Sequence, residues 1–161
     1  MKEGPMTQKI LIAVDDSENA QRAVAFVAKR FSKDTQVTLL SVILDTATLC
    51  KMDSPELTPL FKAQQASFCV LEDKKRELIN SSMQKAKEIL QAAGFAPQNI
   101  EIKIEVKKHG VARDILAEAE KGYSLIVMGR RGLSGIKEFF MGSTSNKVLH
   151  GAKEASVLIV N

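Results

Sequence analysis

Apolar positions fall into two rhythms along this chain. Short runs rich in Ile, Val and Leu occur at Lys9–Val14 (KILIAV), Gln36–Leu44 (QVTLLSVIL), Ser124–Met128 (SLIVM) and Val157–Val160 (VLIV). They are apolar almost throughout, as strands buried on both faces of a parallel sheet are. Ile100–Val106 (IEIKIEV) instead alternates apolar and charged residues. That predicts a half-exposed strand at a sheet edge. Between the runs the period becomes helical. One set is Ala20, Val24, Val27 and Phe31. A second is Ile79, Met83, Ala86, Leu90 and Ala93. A third is Val111, Ile115, Leu116 and Ala119. A fourth helix is predicted from Ser143 to about His150. Ser17 can cap the first helix, with Glu18 favouring the positive end of its dipole. Gly94, Gly122 and Gly151 stand where helices should end.

The order β-α-β-α-β-α-β-α-β implies a parallel sheet with right-handed crossovers and helices on both faces. Such sheets bind ligands at the carboxyl ends of the strands, where strand order reverses. From Asp45 to about Ser67 the pattern breaks. Pro55, Pro59 and scattered polar residues there predict a long loop, with or without one short helical turn. The charged run Glu72 to Glu77 reads as the exposed face of the second helix.

A length of 161 residues fits one domain. Aromatics are only 5% and Trp is absent, so Ile, Val, Leu and Ala must build the core. No stretch approaches the roughly 18 apolar residues of a membrane span. Met1 to Gln8 is polar, with no apolar segment of the signal-peptide kind, and is expected to be a frayed tail. Cys50 and Cys69 are expected as unpaired, partly buried thiols in a reducing cytoplasm, with a disulfide across the long loop as the alternative. The net charge of +4 is spread along the chain, and one Tyr gives no aromatic–basic interleaving. Nucleic-acid binding therefore gains no support.

The candidate chemistry lies in Gly129-Arg130-Arg131-Gly132, then nine residues, then Gly142-Ser143. Gly129 follows a buried strand directly. Gly129 and Gly132 permit a close backbone approach that a side chain would block. Gly142-Ser143-Thr144 opens a helix, whose first N–H groups form an anion site. Ser143, Thr144 and Ser145 add three hydroxyls. Loop and helix start thus bracket a space fit for a polyphosphate. The spacing is neither a Walker A loop nor the GxGxxG of dinucleotide folds. His109 and His150 are far apart, with no ligand spacing around them, so no protein-ligated metal is expected. Ser143 has no nucleophile elbow around it.

With these residues in hand, the chain from Lys9 to Val160 resembles the universal stress protein family. Val14-Asp15-Asp16-Ser17-Glu18 matches the family's opening, and Gly129, Gly132, Gly142 and Ser143 fit the G-x2-G-x9-G-[S/T] signature of its ATP-binding branch. The resemblance implies a Rossmann-like fold of the adenine nucleotide alpha hydrolase type. Its sheet would be open and five-stranded, in the order 3-2-1-4-5. It implies that Asp15 sits by the adenosine and that Val42 meets the adenine through its backbone. Met128 and Gly129 would line the nucleoside and phosphate side. Gly132, Gly142, Ser143, Thr144 and Ser145 would hold ribose and phosphates. Asp15 can also be read as a helix cap with Asp16 and Ser17. Arg130 and Arg131, with Lys137 as a weaker candidate, either neutralise phosphate or are solvated.

The cofactor so implied is ATP, with AMP and ADP as alternatives. Mg2+ would be held through the phosphates and water. The partner would be a second copy, joined through the C-terminal strand. The family's usual Pro before that strand is replaced here by Glu154-Ala155-Ser156. The leading reading is a nucleotide-dependent regulator of a stress response. A slow ATPase or phosphoryl-transfer enzyme, and a dimeric interaction module with a vestigial pocket, stay open.

Overall fold

The computed structural model describes residues 7–131 and 141–161. The expectations for residues 1–6, Gly132 and Lys137 lie outside that range. Five strands form one sheet: β1 (Lys9–Ala13), β2 (Gln36–Ile43), β3 (Ile100–Val106), β4 (Leu125–Gly129) and β5 (Ser156–Val160). Their order is β3-β2-β1-β4-β5, and every pair is parallel. Ile12 sits at the centre, in register with Leu39 on one side and Val127 on the other. This is the order expected from the sequence.

Side chains alternate across each strand, so the apolar runs feed both faces. Ile10, Ile12, Val37, Leu39 and Val127 pack against helices α1 (Glu18–Arg30) and α3 (Pro59–Ala92). Leu11, Leu40, Ile126 and Met128 pack against α4 (Val111–Ala119) and α5 (Ser143–Gly151). Each fully buried Ile or Leu contributes about 2 kcal/mol. The Ser17 hydroxyl accepts the Ala20 amide at 3.2 Å, so it caps α1 as the sequence implied. β3 pairs only with β2 among the described strands; Glu101 is exposed, whereas Lys103 is half-buried and reaches Glu118.

Two expectations fail in and beside the segment from Asp45 to Ser67. Its short helical turn is present as α2 (Ala47–Lys51), but the loop ends early, because α3 begins at Pro59 and runs for 34 residues. Pro59 is not a breaker here. It occupies the first turn, where its missing N–H costs nothing, and Thr58 caps the helix by accepting the Phe61 amide at 3.3 Å. The cysteines are not free thiols either. Cys50 of α2 and Cys69 of α3 form a disulfide. Gln65 adds a second tie, donating from Nε2 to the carbonyls of Leu49 and Met52.

Because the bridge closes a short loop over exposed chain, its effect should be local. Reduction should speed amide exchange in 47–51 and 59–70 by at least about tenfold. Protection in β1, β2 and β4 should stay unchanged. Hydrogen exchange with and without reductant checks this. Equal rates in both states would show that the bridge constrains nothing.

Candidate functional site

The chain leaves β1 through Val14-Asp15-Asp16-Ser17 and enters α1 at once. Asp15 Oδ1 accepts both the amide of Ser17, at 3.0 Å, and its hydroxyl. The Asp15 carbonyl accepts the Ser82 hydroxyl of α3 at 2.8 Å. Gln21 of α1 donates in turn to Ser82 Oγ at 2.7 Å. Helices α1 and α3 thus fix the turn from both sides. One oxygen of Asp15 is spent on the local turn, as the capping reading proposed. Asp16 Oδ1 is buried and has no hydrogen-bond partner among the described residues. A buried acceptor of this kind costs free energy until a donor reaches it.

Beside β1, β4 ends at Gly129. A Cβ built on Gly129 would lie 2.7 Å from the backbone carbonyl carbon of Asn19, so only glycine lets the start of α1 approach this strand. Two residues further on, the chain passes Arg131. It returns at Gly142, whose amide donates to the Arg130 carbonyl at 2.9 Å. Arg130 and Gly142 are therefore held side by side. Buried Ser145 locks α5 to the strand by donating to the Gly129 carbonyl at 3.0 Å. Gly142 stands at the N-cap without a side chain, which leaves the first amides of α5 without a side-chain cap among the described residues. Such amides attract anions.

These turns surround one cavity of about 440 Å³ at the carboxyl ends of β1, β2 and β4. That size falls within the range of small-molecule sites, and the location is where sheets of this kind place ligands. Asp15, Val42, Met128, Gly129, Arg131, Gly142, Ser143, Thr144 and Ser145 all line it. Arg130 is not among the lining residues, and Gly132 lies outside the described range.

The sequence missed the opposite wall. Glu72, Lys75, Arg76 and Ile79 of α3 line the cavity, and so do Val111 and Ile115 of α4. Glu72 is not on an exposed face. It is buried, with only its backbone neighbours in the charged run left in water. Arg76 donates to the Leu44 carbonyl at 3.3 Å and so holds α3 against the end of β2.

Fold and site together define a doubly wound, Rossmann-like α/β protein with a ligand-sized cavity where its strand order reverses. The chain belongs to the universal stress protein family, whose model matches residues 6–161. It is 31% identical to the universal stress protein MJ0577 of Methanocaldococcus jannaschii, over 96% of this chain and 95% of that protein. It is also 31% identical to the universal stress protein YxiE of Bacillus subtilis, over 89% and 92%. A universal stress protein of Mycolicibacterium smegmatis is 24% identical over 93% of this chain, which spans only 47% of that longer protein. Among solved structures, MJ0577 superimposes with a TM-score of 0.66 at 26% identity, covering 97% and 98% of the two chains. A universal stress protein from Archaeoglobus fulgidus in complex with dAMP gives 0.59 at 17%, over 96% and 98%. One in complex with cAMP gives 0.60 at 22%, over 96% and 97%.

Proposed function

We propose that this chain binds an adenine nucleotide, ATP in the first instance, and serves as a nucleotide-dependent regulator in a stress response. One observation carries the proposal. A single cavity gathers a strand-end glycine, an arginine, three hydroxyls and the uncapped start of a helix on one side, with carboxylates on the other. Each part suits a different part of a nucleotide. Ser143, Thr144, the amides that open α5 and Arg131 suit phosphates. The unpaired Asp16 oxygen suits a hydroxyl or amino donor, as a ribose or base supplies. Mg2+ would travel with the phosphates and keep its waters. The dAMP and cAMP complexes of proteins with this fold lend the reading support.

The partner proposed is a second copy of this chain. β5 pairs only with β4 among the described strands, so its outer edge is open for a strand from a second subunit. The compartment proposed is the cytoplasm. Among the described residues, no helix is long and apolar enough to cross a membrane. Cytoplasmic thiols keep most cysteines reduced, so trapping the thiol state of Cys50 and Cys69 in cells tests that part directly.

Mass spectrometry of small molecules released from freshly purified, denatured protein tests the nucleotide itself. Released ATP is the expected result. ADP or AMP released after incubation with ATP would move the reading to a hydrolase. No nucleotide at all, together with no rebinding, would leave the interaction module as the better account.

A further inference from the structure

The first half of α3 is almost entirely solvated. Among its described residues Glu72 is the one that is buried before Met83. Its side chain is 8% exposed and faces the cavity beside the end of β2. Oε1 accepts from Lys75 Nζ at 2.9 Å. Oε2 has no hydrogen-bond or ion-pair partner among the described residues. Oε2 keeps access to solvent on the cavity side, where a ligand donor can replace water on it.

The position of that acceptor in the sheet limits what the donor can be. The hydroxyls and uncapped amides lie at β4 and α5, two strands away from β2. Neighbouring strands are about 4.8 Å apart, so the two ends of the cavity are separated by roughly 10 Å. Phosphates are drawn to the α5 end by those amides and hydroxyls. At the α3 end Lys75 is paired with Glu72, and Arg76 is fixed on the Leu44 carbonyl, so the open acceptor there is the Glu72 carboxylate. The α3 end therefore receives the part of a nucleotide furthest from its phosphates, which is the base.

We infer that Glu72 sets the base preference of this cavity by accepting a hydrogen bond from an exocyclic amino group, which favours a 6-aminopurine over a 6-oxopurine. A carboxylate accepts and cannot donate, so a base with a carbonyl at that position meets it acceptor to acceptor. The inference rests on the adenine-nucleotide reading and assigns recognition of its base to one residue.

ATP and ITP differ at the 6-position and at the adjacent N1, which carries a proton only in the 6-oxo base. Titrations of the full chain with each nucleotide test the inference. Wild type should bind ATP about tenfold or more tighter than ITP, the direction in which a site built for a donor rejects an analogue lacking it. Glu72→Gln should weaken ATP and strengthen ITP, because its amide can donate to the 6-oxo group. The ratio should fall to within about threefold. A gain in ITP affinity cannot come from damage to the fold. Glu72→Leu, which suits a buried position without any polar atom, should also erase the preference.

Equal wild-type affinities, or a ratio that neither variant moves, would overturn the inference while leaving the nucleotide site intact. Tighter binding of both nucleotides by Glu72→Gln would overturn it too, since it would put the phosphates against α3. Failure of wild type to bind either nucleotide would instead overturn the nucleotide reading, and this inference with it.

Discussion

Gly129→Ala is expected to lower stability by about 3 kcal/mol and the melting temperature by roughly 10 °C. The added methyl would stand 2.7 to 2.8 Å from the carbonyl carbon, carbonyl oxygen and Cβ of Asn19. Two of those three atoms are backbone, at the start of a helix whose Val24 and Val27 are fully buried. No rotamer change relieves such a contact. Either α1 lifts from β4 or the strand end moves. Movement of the strand end would also displace the carbonyl that Ser145 holds, and with it the first turn of α5. Nucleotide affinity should therefore fall together with stability. Thermal melts of wild type and variant check the first effect. An unchanged melting temperature would mean that the helix is not seated on this strand.

Acid should remove roughly 3 kcal/mol of stability through one residue, Glu118. Its carboxylate is 4% exposed, on the face of the sheet covered by α4. Oε1 accepts from Lys103 at 2.7 Å and from the Tyr123 hydroxyl at 3.0 Å, and Oε2 accepts from Lys121 at 2.6 Å. Burial pushes this carboxyl up. The three hydrogen bonds outweigh burial and hold it at about 2, against an ordinary 4.5. A carboxyl depressed in the folded state stabilises the protein above its unfolded value. That contribution is complete above about pH 4.5 and disappears as pH falls toward 2. Glu118→Gln should cost a similar amount at pH 7, because Lys103 and Lys121 lose their anion, and should flatten the acid limb. Urea unfolding at pH 7, 4 and 3 for both proteins checks this. Parallel acid limbs in the two proteins would remove Glu118 from the account.

The fold was legible in the sequence because its core obeys simple periods. KILIAV, QVTLLSVIL and SLIVM are apolar because strands β1, β2 and β4 are covered on both faces. IEIKIEV alternates because β3 lies at an edge. Strand order followed from the family resemblance, not from the runs themselves. The start of α3 was illegible for a physical reason. Before Met83 it buries only Glu72, so no apolar stripe marks the period. Its exposed Leu60, Val70 and Leu71 belong to no single buried face. Pro59 was read as a breaker because a proline at the first helical position and one in a loop look alike until the cap is known.

The site was legible where it is built from backbone. Gly129, Gly142 and Ser143 carry a spacing that serves their geometry. Glu72 and Arg76 contribute through side chains on a helix packed across the sheet, and nothing local in a charged run tells which member turns inward. The disulfide stood only as the alternative because two cysteines 19 residues apart are in bonding range only once α2 and α3 exist.

The central claim is that the cavity between β1, β4 and α5 holds an adenine nucleotide. Its most direct test is a titration of ligand-free protein with ATP and Mg2+, in wild type and Gly142→Val. Gly142 lines the cavity with φ −55 and ψ 150, angles that a valine can adopt, so the variant should fold while placing three carbons at the helix start. Micromolar or tighter binding by wild type, weakened at least about 100-fold in a variant with an unchanged melting temperature, is the predicted result. Equal binding by both proteins, or none by wild type, would contradict it.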